Sequence, residues 1–119
     1  MSDSTKREKG MEMFEKVMGF VPPDPGDDSF LETTVDHLFA NVWAAPGLSV
    51  RERRLVTLTV LAQIGNESVL KLHAGAALDS GDLCDESMDA LVIHLAHYAG
   101  WPPAAILATT LRTLRAKCS

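Results

Sequence analysis

The sequence predicts an all-α fold of six helices. Apolar residues recur at the three- and four-residue spacing of helical faces, and glycine or proline punctuates the end of each segment. No stretch alternates apolar and polar residues as a half-buried strand would.

The first helix is predicted over Ser4–Met18, with apolar Met11, Phe14, Val17 and Met18 and a stop at Gly19. The following VPPDPGDD cannot continue a helix and reads as a linker. Residues 1–26 are therefore expected to form an N-terminal helical arm and linker, and residues 27–119 the main helical domain. Asp27 or Asp28 can cap a second helix, whose Phe30, Leu31, Val35, Leu38, Phe39, Val42 and Trp43 trace one apolar stripe. Pro46 and Gly47 break it. Ser49 with Glu52 three residues on is a capping box that opens a third helix, which runs to Ile64 with Gly65 just past its end. The fourth helix runs from near Asn66 to before Gly81, and the fifth from about Asp85 to Ala99. Pro102 and Pro103 suit the first turn of a sixth helix ending near Lys117.

Composition narrows the function. A chain of 119 residues suits one core, and 46% hydrophobic with 23% charged residues is ordinary for a globular protein. A net charge of −5 argues against binding nucleic acid, because neutralising phosphates takes a dense Lys/Arg surface. No apolar run is long enough to cross a bilayer, so no membrane partner is expected. The polar start MSDSTKREKG lacks the apolar stretch of a signal peptide, and a cytoplasmic location is expected. In that compartment Cys84 and Cys118 are expected as free thiols.

The fourth helix, within GNESVLKLHAGAALDSG, is almost wholly apolar apart from His73. A side chain that titrates near neutrality must there be satisfied by a partner, serve chemistry, or both. Val69, Leu72, Ala76 and Ala77 lie on its side, and Leu70, Ala74 and Leu78 towards the other. A helix apolar around most of its circumference is buried on several sides, and the small run Ala74-Gly75-Ala76-Ala77 admits a close backbone. The expectation is a homo-oligomer with this helix at or near the subunit interface. The alternative is the central helix of a monomeric bundle.

Trp43, Pro46-Gly47-Leu48, the arginine-rich start of the third helix, Gly65, Leu72-His73, the small-residue run ending at Gly81, and Tyr98-Ala99-Gly100 with Pro102 stand in one order. In that order they resemble the carboxymuconolactone decarboxylase family, over roughly residues 10–115. The resemblance implies an alkylhydroperoxidase D-like helical subunit that assembles as a trimer or hexamer. It implies less about reaction, because the superfamily holds decarboxylases, thiol-dependent peroxidases and members of unknown activity.

The peroxidase branch carries a Cys-x-x-Cys pair with a histidine four residues after the second cysteine. Counted back from His73, those positions are Asn66 and Val69, neither of which forms a thiolate. That branch also has a glutamate nineteen residues ahead of the histidine, where this chain has Arg54. The decarboxylase branch fits better, needing neither thiol nor cofactor. Losing CO₂ from a small carboxylated lactone takes a cation to hold the anion, a less polar place for the departing carboxylate, and an acid to protonate the enolate. His73 is the candidate acid or base and Arg54 the candidate cation. The three arginines Arg51, Arg53 and Arg54 oppose the dipole of the helix they open, so at least one is expected to face an anion.

Trp43, His94 and Tyr98 are further candidate substrate contacts, with core packing the commoner role of Trp43 and Tyr98. His94 and His97 share a face but make only half of a metal site, for which Asp85 or Asp89 would have to contribute, and no metal is expected. Cys84, near a helix start, is a cap or packing residue unless the dipole activates it. Lys6, Arg7, Glu8 and Lys9 read as a solvated helix start. The expected function is cofactor-independent decarboxylation or proton transfer on a small carboxylate or lactone. The alternatives are an alkylhydroperoxidase- or peroxiredoxin-like antioxidant and a non-catalytic oligomeric small-ligand binder.

Overall fold

The computed structural model describes residues 3–118 and the surroundings of side chains over residues 5–115. The described residues are helical, without a strand. They group into two compact units, residues 1–50 and 51–119.

The first unit pairs α1 (Asp3–Met18) with a second helix that opens as α2 (Ser29–Thr33) and continues as a π-helical segment over Thr34–Trp43. Asp28 is its cap, accepting the Leu31 N–H on Oδ1 at 3.0 Å. The sequence pattern predicts one ordinary α-helix here. At the changeover, the Thr33 and Thr34 hydroxyls donate to the Ser29 and Phe30 carbonyls at 2.9 and 2.8 Å. Those are carbonyls the α-helical ladder uses, and back-bonding of this kind loosens a helix locally.

Within residues 1–50, α1 packs along the second helix. Gly10 allows that close approach: a Cβ there would collide with the Val35 backbone carbonyl. Phe14, Val17, Phe39 and Trp43 form the unit's core, with the Phe39 and Trp43 rings stacked at 6.2 Å between centroids. Arg7 is not a merely solvated charge. It grips Asp36 with two bonds, Nε to Oδ1 at 2.6 Å and Nη2 to Oδ2 at 2.9 Å, which raises its own pKa and lowers that of Asp36.

The second unit takes α3 (Val50–Ile64) from Arg51 onward, then α4 (Glu67–Ser80), α5 (Asp85–Tyr98) and α6 (Trp101–Cys118). Leu58 of α3, Leu70 and Ala74 of α4, Met88 of α5, and Leu107 and Leu111 of α6 meet in one core. Each fully buried leucine of this kind contributes about 1.5–3 kcal/mol relative to exposure. The α4 residues Leu70, His73, Ala74 and Ala77 are all buried, at the i, i+3, i+4, i+7 spacing of one helical face. Leu72 turns outward.

Burial of α4 is thus achieved largely within one chain. At the small-residue run α4 packs against α6, and a Cβ at Gly75 would meet Leu114 Cδ2 at 3.5 Å, an ordinary van der Waals distance. No helix among the described residues is long and apolar enough to cross a membrane.

Candidate active site

Helix α3 carries Arg54 on the face that also buries Leu58 and Ala62, so the helix period sends its guanidinium inward. The side chain is 1% exposed. A buried cation needs an anion, and Arg54 Nε donates to Asp82 Oδ2 at 2.9 Å. One arginine of the electrostatically mismatched first turn therefore does face an acid. Asp82 itself keeps 31% of its side chain exposed, so the pair runs from the interior to the surface.

The turn that delivers Asp82 is tightly held. Gly81, in the left-handed conformation at φ +81°, ends α4 and donates its N–H to the Leu78 carbonyl at 3.1 Å. The Leu83 N–H reaches back to the Ala77 carbonyl at 3.2 Å, and its side chain is buried in the core. The Ser80 hydroxyl donates to the same Ala77 carbonyl at 3.1 Å and accepts the Asp82 N–H at 3.2 Å.

His73 lies on the buried face of α4 and is 9% exposed. Burial lowers its pKa from the ordinary 6.5, and the positive charge of Arg54 lowers it further. The charge of Arg54 thus favours the neutral form of His73, the effect expected of an arginine beside it. At neutral pH the resting imidazole is neutral, and a second anion arriving near Arg54 would favour its protonation. The Arg54 guanidinium already has a carboxylate of its own chain, so a ligand carboxylate would share it with Asp82.

Asn66 and Val69, at the two cysteine positions of the peroxidase branch, have another job. Asn66 caps α4, its Oδ1 accepting the Val69 N–H at 3.2 Å. Cys84 stands at the opposite end of α4, just ahead of α5. It is an exposed free thiol, and the Cys118 side chain lies outside the described residues. Its sulfur is 3.4 Å from the Ser87 hydroxyl. That hydroxyl first, and the Ser87 amide next, hold its pKa below the usual thiol value.

The other candidate contacts go elsewhere. Trp43 is buried in the first unit's aromatic core. The His94 and Tyr98 rings lie 5.0 Å apart between centroids, tilted by 30°, on α5, where Tyr98 is 84% exposed and does not pack into the core. They line an open hollow with Ala90, Ile93 and His97, and neither Arg54 nor His73 contributes to it. His97 Nδ1–H donates to the Ile93 carbonyl at 2.7 Å, while Arg115 engages both Asp85 and Asp89 at 2.9 Å.

The order of sequence features now matches this geometry, and a model of the carboxymuconolactone decarboxylase family matches residues 28–111. The chain belongs to that family. The chain is also similar to the 4-carboxymuconolactone decarboxylase of Acinetobacter baylyi (strain ATCC 33305 / BD413 / ADP1). The two are 29% identical over 109 residues, covering 86% of this chain and 81% of the relative.

Within this carboxymuconolactone decarboxylase family member, Asp82 is the site residue that sequence reasoning did not single out. The signal for it was indirect. Three arginines in one helical turn called for an acid, but nothing local said that it stood on the turn after α4.

Proposed function

We propose that this protein catalyses cofactor-independent decarboxylation, or a related proton transfer, on a small carboxylated lactone of the 4-carboxymuconolactone type. The reading is carried by the burial of both Arg54 and His73, with burial first and the Arg54 charge next lowering the His73 pKa, in a family member that has no thiol at either peroxidase position. In the decarboxylation step the C–C bond to the carboxylate breaks and CO₂ leaves. The bonding electron pair stays behind as an enolate, which a cation nearby stabilises. His73, charged by a proton taken up as the anionic substrate arrives, delivers that proton to carbon and returns to the neutral imidazole. Arg54 supports the developing negative charge from inside the protein, where low polarity makes its field strong.

The proposal includes homo-oligomeric assembly, for which Val56, Val60 and Ile64 are the supporting feature. They follow one another at four-residue spacing on α3 and leave 56%, 48% and 70% of their surface exposed.

The test is CO₂ release from 4-carboxymuconolactone by the purified protein and by His73→Gln. Turnover lost in the variant, with the fold intact by circular dichroism, is the expected result. Turnover unchanged in His73→Gln removes the histidine from the mechanism. No turnover by the wild type removes this substrate.

A further inference from the structure

We propose that Asp82 is a positioning residue for the Arg54–His73 pair: its carboxylate fixes the guanidinium at Nε and tempers the charge that Arg54 presents to the histidine. The proposal deepens the function proposed above and rests on it for the role of His73, but its test needs no substrate.

The geometry carries the argument. A guanidinium on a flexible stem has several rotamers, and ordering it costs conformational entropy. Arg54 is buried almost completely, and the 2.9 Å bond to Asp82 Oδ2 at Nε restricts the plane in which its fork can lie. Asp82 can do this because its own backbone is not free to drift. Left-handed Gly81 precedes it, buried Leu83 follows it, and the Ser80 hydroxyl holds its N–H. The restraint therefore passes from the end of α4 to the Arg54 guanidinium on α3.

The charges are arranged in the same sequence. The Arg54 charge on α3 bears on His73, and Asp82, from the α4–α5 turn, bonds Arg54. Removing the Asp82 charge alone leaves the Arg54 cation less compensated and makes a protonated His73 harder to form. Removing both charges withdraws the cation as well. The two changes must therefore push His73 in opposite directions, which a merely structural role for Asp82 does not require.

The experiment is a pH titration of the His73 Cε1–H resonance by NMR, assigned through its loss in His73→Gln. Asp82→Asn keeps the side-chain shape while removing the charge, and is expected to lower the His73 midpoint. Asp82→Glu, which restores the carboxylate, is expected to return it towards wild type. The double variant Arg54→Gln/Asp82→Asn, which leaves no buried cation at this position, is expected to raise it above the Asp82→Asn value, and stays informative if the single variant folds poorly. Equal midpoints in wild type, Asp82→Asn and the double variant would overturn the proposal. Loss of CO₂ release with these shifts intact would count against the proposed reaction and leave the role of Asp82 standing.

Discussion

The Arg54 guanidinium, 1% exposed on α3, is bonded through Nε to the Asp82 carboxylate, which is 31% exposed on the turn after α4. The two ends of this ion pair sit in different surroundings, so their removal has unequal consequences. Asp82→Ala takes a carboxylate from a cation that stays buried. Breaking a fully buried pair costs about 3–5 kcal/mol, and the partial exposure of Asp82 reduces the expected loss to about 2 kcal/mol. Arg54→Met puts an apolar side chain of similar length in the core and leaves Asp82 where water reaches it, so the expected loss is smaller, about 1 kcal/mol or less. Urea denaturation of the two variants checks the order. A larger loss in Arg54→Met contradicts it.

His73 gives the stability a pH dependence of defined sign. Burial and Arg54 lower its folded-state pKa below the ordinary 6.5. Between the two values the unfolded chain binds more protons than the folded one, so stability rises with pH in that window. The contribution of neutral His73 is complete above about 6.5 and is lost as pH falls from there through the depressed folded value. Urea midpoints measured from neutral pH down to about pH 5 are expected to fall in the wild type and to fall less steeply in His73→Gln. Parallel slopes for the two proteins would show that His73 titrates alike in both states.

What was legible in the sequence is what acts locally. Asp28 as a cap, Gly81 as a stop and the prolines of α6 are each read within a few residues, and all stand where the pattern puts them. His73 and Arg54 were legible too, as a polar residue on an apolar helix and a cation at the wrong end of a dipole. Their partners were not. Asp82 is 28 residues from Arg54 and Asp36 is 29 from Arg7, and helical periodicity carries no information at that separation. The π-helical winding of Thr34–Trp43 escaped for another reason. Over so few turns its apolar stripe differs little from an α-helical one, and the change is marked only by two threonine hydroxyls. Leu70, Ala74 and Ala77 of α4 are buried in a core that α3, α5 and α6 share.

Gly10 is the position where a helix-favouring substitution is expected to fail. In an exposed helix interior, Gly→Ala stabilises by about 1 kcal/mol. Here the added Cβ meets the Val35 backbone carbonyl, which cannot rotate away as a side-chain tip would. Gly10→Ala is therefore expected to destabilise by about 1–3 kcal/mol, the range for overpacking. It should loosen the Phe14–Phe39–Trp43 cluster first, because α1 must back away from the second helix. Trp43 fluorescence during thermal unfolding, with Trp101→Phe as background, reads this directly. An unchanged or raised midpoint would mean that the two helices separate without cost.

Cys84 separates thiol chemistry from the proposed reaction. Its lowered pKa comes first from the Ser87 hydroxyl, so the reactive fraction of the thiol depends on a neighbour that plays no part in the Arg54–His73 arrangement. In a Cys118→Ser background, iodoacetamide alkylation of Cys84 is expected to show a midpoint below that of an ordinary thiol, and Ser87→Ala is expected to move it up. An unmoved midpoint would assign the effect to the helix terminus instead. Cys84→Ser should abolish alkylation in the same background and leave His73-dependent CO₂ release as it was, because the sulfur lies at the start of α5 and not on the buried face of α4. Peroxide consumption that disappears with Cys84→Ser, in a protein that releases no CO₂, would instead favour a thiol-based activity. It would have to run without the resolving cysteine that Asn66 and Val69 fail to provide.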